Sequence, residues 1–144
     1  MIQDVLISDL KVIEVEGGNV LHSSKLDDTG FKKFGECYFS YIDYRFIKGW
    51  KRHSLVTLNL TVPLGIVKFV MFDSRENSKT YKKFQEVLIG ESNYKRLTIP
   101  PLVWVAFQGL EYKQSILMNL IDLKHDPSES ENKNIDYFKY DWSS

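Results

Sequence analysis

One cysteine, four prolines and eight glycines are all that 144 residues contain of these types, and the charges cancel, 19 Lys and Arg against 19 Asp and Glu. Each scarcity excludes something. A lone Cys37 cannot close an internal disulfide, which points to a reducing, cytoplasmic setting. Zero net charge excludes a general nucleic-acid binder, whose affinity rests on many neutralised phosphates. It leaves room for one small phosphorylated ligand. No run approaches the roughly 20 apolar residues of a membrane helix. The opening stretch MIQDVLISDLKV has acids where a signal peptide has bases, so neither membrane insertion nor secretion is expected. The length suits a single domain, 1–144.

What the chain does have is aromatic side chains, 14% of residues, a content that favours strands. Leu55 to Val62 alternates strictly, with Val56, Leu58, Leu60 and Val62 on one face. Pro63-Leu64-Gly65 signals a turn, and Ile66 to Phe72 reads as the second strand of a hairpin. Further strands are expected at 36–43, 46–50, 84–89, 95–99, 103–107 and 115–121. This spacing is that of an all-β sandwich or barrel. The polar segment 73–83 reads as a loop, and 126–134 as a surface loop or linker. An aromatic C-terminal tail at about 135–142 is expected to dock on its own domain or on a partner.

Phosphate-binding glycine loops, HExxH, CxxC and GxSxG motifs are all missing. Cys37, among aromatics, reads as a small buried hydrophobe rather than a catalytic thiol. His22, His53 and His125 show no metal-ligand spacing. What remains is the cluster Lys48, Trp50, Lys51, Arg52 and His53. Strand alternation groups Lys51 and His53 with Gly49, and sets Lys48, Trp50 and Arg52 on the other face. One group would face a concave site; a solvated basic strand end is the plainer reading. Arg75 and Trp104 admit either a binding or a structural role, and Trp104 suits a core.

Taken in order, several segments resemble the cupins that act on deoxysugar nucleotides, above all the short relatives of dTDP-4-dehydrorhamnose 3,5-epimerase. The matching pieces are FGECYFS from Phe34, IKGWKRH from Ile47, TLN from Thr57 and FDSR from Phe72. They continue with Gly90, Asn93-Tyr94, IPPLVW from Ile99, His125-Asp126-Pro127 and Tyr140-Asp141-Trp142. The resemblance implies a jelly-roll barrel, a homodimer and a nucleotide-linked 4-keto-6-deoxy sugar in the barrel mouth. The similar 3,4-ketoisomerases stay in play. By resemblance, Lys48 contacts phosphate, and Glu36, Tyr38, Asn59, Arg75, Trp104 and Asn119 line the substrate site. Many cupins hold a metal with a His-x-His pair, but here Lys51 replaces the first histidine. Protonated lysine cannot bind a cation, so neither a metal nor another cofactor is expected.

The chain departs from the family where protons move. The family's catalytic histidine falls at Lys51, its proton-donating tyrosine near Met118, its second histidine near Val105, and the carboxylate partner of the base near Asp122. A base that acts beside a ketone needs a pKa near the working pH, and free lysine titrates far above it, near ~10.4. Three readings follow. Lys51 is a tuned base; or His53 has taken the base role; or the site binds a sugar nucleotide and has lost proton transfer, as an accessory module would.

Overall fold

The alternating segments become strands because a two-residue period puts one face of each into a common core. The computed structural model describes residues 1–144. Its strands are β1 (Leu6–Asp9), β2 (Val12–Ile13), β3 (Val20–Leu21), β4 (Glu36–Asp43), β5 (Ile47–His53) and β6 (Leu58–Leu64). They continue with β7 (Ile66–Asp73), β8 (Phe84–Gly90), β9 (Lys95–Ile99), β10 (Val103–Gly109), β11 (Gln114–Ile121) and β12 (Ser130–Asn132). Two antiparallel five-stranded sheets result, in the orders β1-β9-β6-β11-β4 and β12-β5-β10-β7-β8, and β2 pairs with β3 in a separate ribbon. This is the expected all-β jelly-roll. No helix is long and apolar enough to cross a membrane.

The main core lies between the sheets, where Leu60, Val62, Phe69, Met71, Leu97 and Ile121 are almost fully buried. Sheet β1-β9-β6-β11-β4 is covered outside as well, by residues 23–30. Asn59 donates to the Gly30 carbonyl at 3.1 Å and accepts from Thr98 at 2.7 Å. Arg96 binds the Ser23 carbonyl and the Asp28 carboxylate, each at 2.8 Å. The outer face of the other sheet carries a second cluster, in which Trp50, Val70, Trp104 and Ala106 lie under the aromatic tail. Trp50 and Phe138 meet edge-to-face at 5.2 Å, a contact that adds about 1 kcal/mol to area burial. Trp50 Nε1 donates to the Ile135 carbonyl at 3.0 Å, and Tyr140 donates to Glu86. The tail thus docks on its own domain.

Three expectations are corrected here. β6 and β7 are not a hairpin: β6 pairs with β9 and β11, and β7 with β8 and β10. The chain crosses between sheets at Gly65, whose φ of 85° favours glycine. Cys37 is exposed on the outer face of β4, because the inward positions of that strand go to Tyr38 and Ser40. Segment 126–134 is built structure: a one-turn 3-10 helix, Pro127–Glu129, capped by Asp126, leads into β12, which pairs with β5. At the end of β7, Asp73 is fully buried. Burial alone would raise its pKa, but hydrogen bonds from Arg75, Ser78 and Thr80 hold it far below the usual carboxylate range.

Candidate functional site

The site begins with an irregularity in β5. Lys51 lies opposite Val105 and Lys48 opposite Phe107, so three residue steps on β5 match two on β10. The extra residue is a β-bulge around Gly49-Trp50, and it reverses the alternation. Lys48 therefore faces the same side as Lys51 and His53, while Trp50 turns into the tail cluster. Uninterrupted alternation would have sent Lys48 outward with Trp50.

These three basic side chains line one wall of a cavity of about 360 Å³ between the sheets. Facing them are Tyr38 and Ser40 on β4 and Asn119 on β11. Leu58, Leu60, Val105 and Leu117 supply apolar surface. Neither Lys48 nor Lys51 has a salt bridge or a side-chain hydrogen bond. Arg52 turns away, paired with Glu131 at 2.7 Å and stacked over Trp104 at 4.9 Å.

His53 has a carboxylate partner, Glu129. The distance from Nδ1 to Oε1 is 2.6 Å, and the two side chains are 10% and 9% exposed. A carboxylate only accepts, so Nδ1 carries the proton and Nε2 of the neutral ring is the basic nitrogen. The other Glu129 oxygen accepts from the backbone amides of Leu55 at 2.9 Å and Val56 at 3.0 Å. Burial would raise the Glu129 pKa, but the bonds from His53 and the two amides outweigh it and hold it below the ordinary value. Across the cavity, Asn119 Nδ2 donates to the Tyr38 hydroxyl at 3.0 Å, which leaves the phenolic proton free to point elsewhere. Burial raises the Tyr38 pKa, and Glu36 and Glu129 add to it, so the phenol stays protonated.

Of the residues singled out in the sequence, the cavity gathers Lys48, Lys51, His53, Tyr38 and Asn119. The others lie elsewhere. Asp122 accepts from the Thr57 amide at 2.8 Å and has no bond to Lys51 or His53. Arg75 is bound by Asp73 and by the Gln3 carbonyl at 2.7 Å. Asn59 is held under residues 23–30, and Trp104 under the tail. Glu36 sits two residues from Tyr38 without lining the cavity. Met118 alternates with the cavity-lining Leu117 and Asn119 and so faces out of the barrel. Glu129 was missed: the DPSE string marks a capped turn, and nothing local in it names His53.

No protein-family model matches the chain. The crystal structure of a dTDP-sugar isomerase from Desulfovibrio desulfuricans is 38% identical in sequence, with a TM-score of 0.95 over 99% of this chain and 92% of that one. A dTDP-4-dehydrorhamnose 3,5-epimerase from Sulfolobus tokodaii shares the fold, with a TM-score of 0.83 and 22% identity over 96% of this chain and 81% of the other. A probable low-salt glycan biosynthesis epimerase of Haloferax volcanii is 26% identical over 138 residues, 94% of this chain and 88% of that protein. The 38% identity over nearly the whole of both chains settles the family. The chain belongs to the RmlC-like cupins, the isomerase-class family of dTDP-sugar epimerases and isomerases.

Proposed function

We propose that this protein is a sugar-nucleotide epimerase or isomerase that moves a proton next to the ketone of a dTDP-linked 4-keto-6-deoxyhexose. The observation that carries the reading is the His53–Glu129 pair, set in a cavity whose other charged lining groups are Lys48 and Lys51. Nε2 of His53 takes the proton from the carbon beside the ketone. The electron pair moves toward the group at the former carbonyl carbon, where Lys48 meets the developing charge. Tyr38, on the opposite sheet, returns a proton. Return to the opposite face of the same carbon inverts it, whereas return to the former carbonyl carbon transposes the ketone.

The same reading extends to the setting. A nucleotide sugar is a cytoplasmic substrate, and the glycan it feeds is taken to be a bacterial surface polysaccharide such as lipopolysaccharide O-antigen. A homodimer would cover Phe39 and Tyr41, each 67% exposed on the edge strand β4. Neither nucleic acid nor membrane is invoked as a partner.

The test is incubation with dTDP-4-keto-6-deoxyglucose in deuterated water, followed by proton NMR. Deuterium at C3 or C5 is expected, and the position and configuration of the label name the reaction. Binding with no exchange at either carbon would sink the enzyme reading for this substrate.

A further inference from the structure

Lys51 stands two residues from His53 in the same cavity, with no carboxylate to pair it. No carboxylate lies within salt-bridge distance of it, and three that flank the cavity strands are engaged: Glu129 by His53, Leu55 and Val56, Glu131 by Arg52 and Lys133, and Asp122 by Thr57. Its strand-opposite neighbours are apolar Val105 on β10 and uncharged Asn132 on β12, and Leu58, Leu60 and Leu117 line the same cavity. Lys48 shares the wall as a second, equally unpaired cation. A lysine next to another cationic group and without a carboxylate partner is of the kind that forms Schiff bases with carbonyl substrates. An ion-paired lysine is held as an ammonium and cannot add to carbon.

On the reading that a keto sugar occupies this cavity, we infer that Lys51 is a covalent catalyst that binds the substrate's ketone carbon as an imine. The neutral amine of Lys51 adds to the carbonyl carbon, and the carbonyl oxygen leaves as water carrying both amine protons. The imine nitrogen takes one proton from solvent to give a protonated imine, and the final hydrolysis returns that proton. His53 removes the proton from the adjacent carbon. The C–H electron pair forms a carbon–carbon double bond, and the imine π pair returns to nitrogen, which leaves a neutral enamine. Protonation of that carbon from the opposite face restores the protonated imine. Water then adds to it, expelling Lys51 and regenerating the ketone at the same carbon. No oxidant or reductant enters. The route also selects between products. If the enamine went on to move the ketone to the neighbouring carbon, nitrogen would be left as an amine on a saturated carbon, with no way to depart. Imine catalysis here therefore means epimerisation with the ketone kept in place.

The experiment incubates the full-length protein with dTDP-4-keto-6-deoxyglucose and sodium cyanoborohydride, which reduces imines in preference to ketones. A parallel set follows deuterium exchange by wild type, Lys51→Arg and Lys51→Met, with dTDP binding measured by thermal shift. The expected result is a covalent sugar-nucleotide adduct mapped to Lys51, suppressed by excess dTDP. Both variants should bind dTDP and exchange about 100-fold more slowly, because arginine keeps the charge but cannot form the imine. Three outcomes overturn the inference while leaving proton transfer at this site intact: exchange by wild type with no adduct, an adduct confined to another lysine, or exchange by Lys51→Arg within about 10-fold of wild type. Wild type that neither exchanges nor forms an adduct overturns this inference and the proposed function together.

Discussion

Glu129 follows His53 by 76 residues, yet its Oε1 lies 2.6 Å from the imidazole Nδ1. The bond orients the ring, fixes its tautomer and turns Nε2 into the available base. It exists because β12 pairs beside β5, Ser130 against His53, which places the preceding residue over the ring's edge.

Replacing that carboxylate tests the pair. Glu129→Gln keeps the shape and loses the charge that stabilises an imidazolium. Deuterium exchange is expected to slow by about 100-fold, with the KM for sugar nucleotide little changed. The His53 ring proton on Nδ1 should also lose its downfield NMR position. An exchange rate equal to wild type would show that the Glu129 charge does not assist the base.

Acid should destabilise the protein by protonating carboxylates whose folded-state pKa values are lowered, Asp73 and Glu129 the most enclosed of them. The folded-state pKa values of Asp73 and Glu129 both lie below the ordinary value. Each therefore adds stability above its unfolded pKa of about 4, and that stability drains away as pH falls toward the folded value. Urea midpoints should be flat from about pH 8 to pH 6 and fall below about pH 4.5. Asp73→Asn should cost about 3 kcal/mol at pH 7, because it leaves partly buried Arg75 with only exposed Asp4 as counter-charge and weakens the acceptor of Ser78 and Thr80, and should flatten the acid limb. An unchanged acid limb would remove Asp73 from this account.

Tyr38→Phe separates proton removal from proton return. The variant loses the hydroxyl that accepts from Asn119, at a cost of about 1 kcal/mol. Loss of deuterium label from substrate should continue, while the isomerised product should form about 100-fold more slowly. Because the Tyr38 pKa is raised, product formation in wild type should show no alkaline fall from this group below about pH 10. Undiminished product from the variant would assign the return step to another donor.

The homodimer expectation turns on Phe39 and Tyr41. Sedimentation should give a dimer for wild type and a monomer for Phe39→Glu, with the β-sheet circular dichroism retained. A wild-type monomer at micromolar concentration would end that expectation.

The strands were legible because alternation is a local signal: β4 and β9 match their expected ends, and β11 differs by one residue. The β6–β7 hairpin was misread because a turn that crosses between sheets carries the same Pro-x-Gly signature as one that stays within a sheet. At the site, the shared face of Lys51 and His53 followed from alternation. The inward turn of Lys48 did not, since a bulge shows only in pairing. Glu129 was hidden for a different reason. Segment 126–134 has almost no apolar residues, and its order comes from distant partners: Asp126 caps the turn, Glu129 takes His53 and two amides, and Glu131 takes Arg52. Polarity was read as solvation, but here it is the adhesive. The family resemblance placed the carboxylate partner at Asp122, whereas the carboxylate bonded to an imidazole is Glu129, seven residues further on.

The late position of Glu129 also separates binding from turnover along the chain. Lys48, Lys51, Tyr38 and Asn119 all stand on strands that precede residue 122, whereas the carboxylate that orients the base stands on the short segment that follows. Loss of order in that segment alone would leave the binding walls and take away the oriented base, so the protein would hold ligand without transforming it.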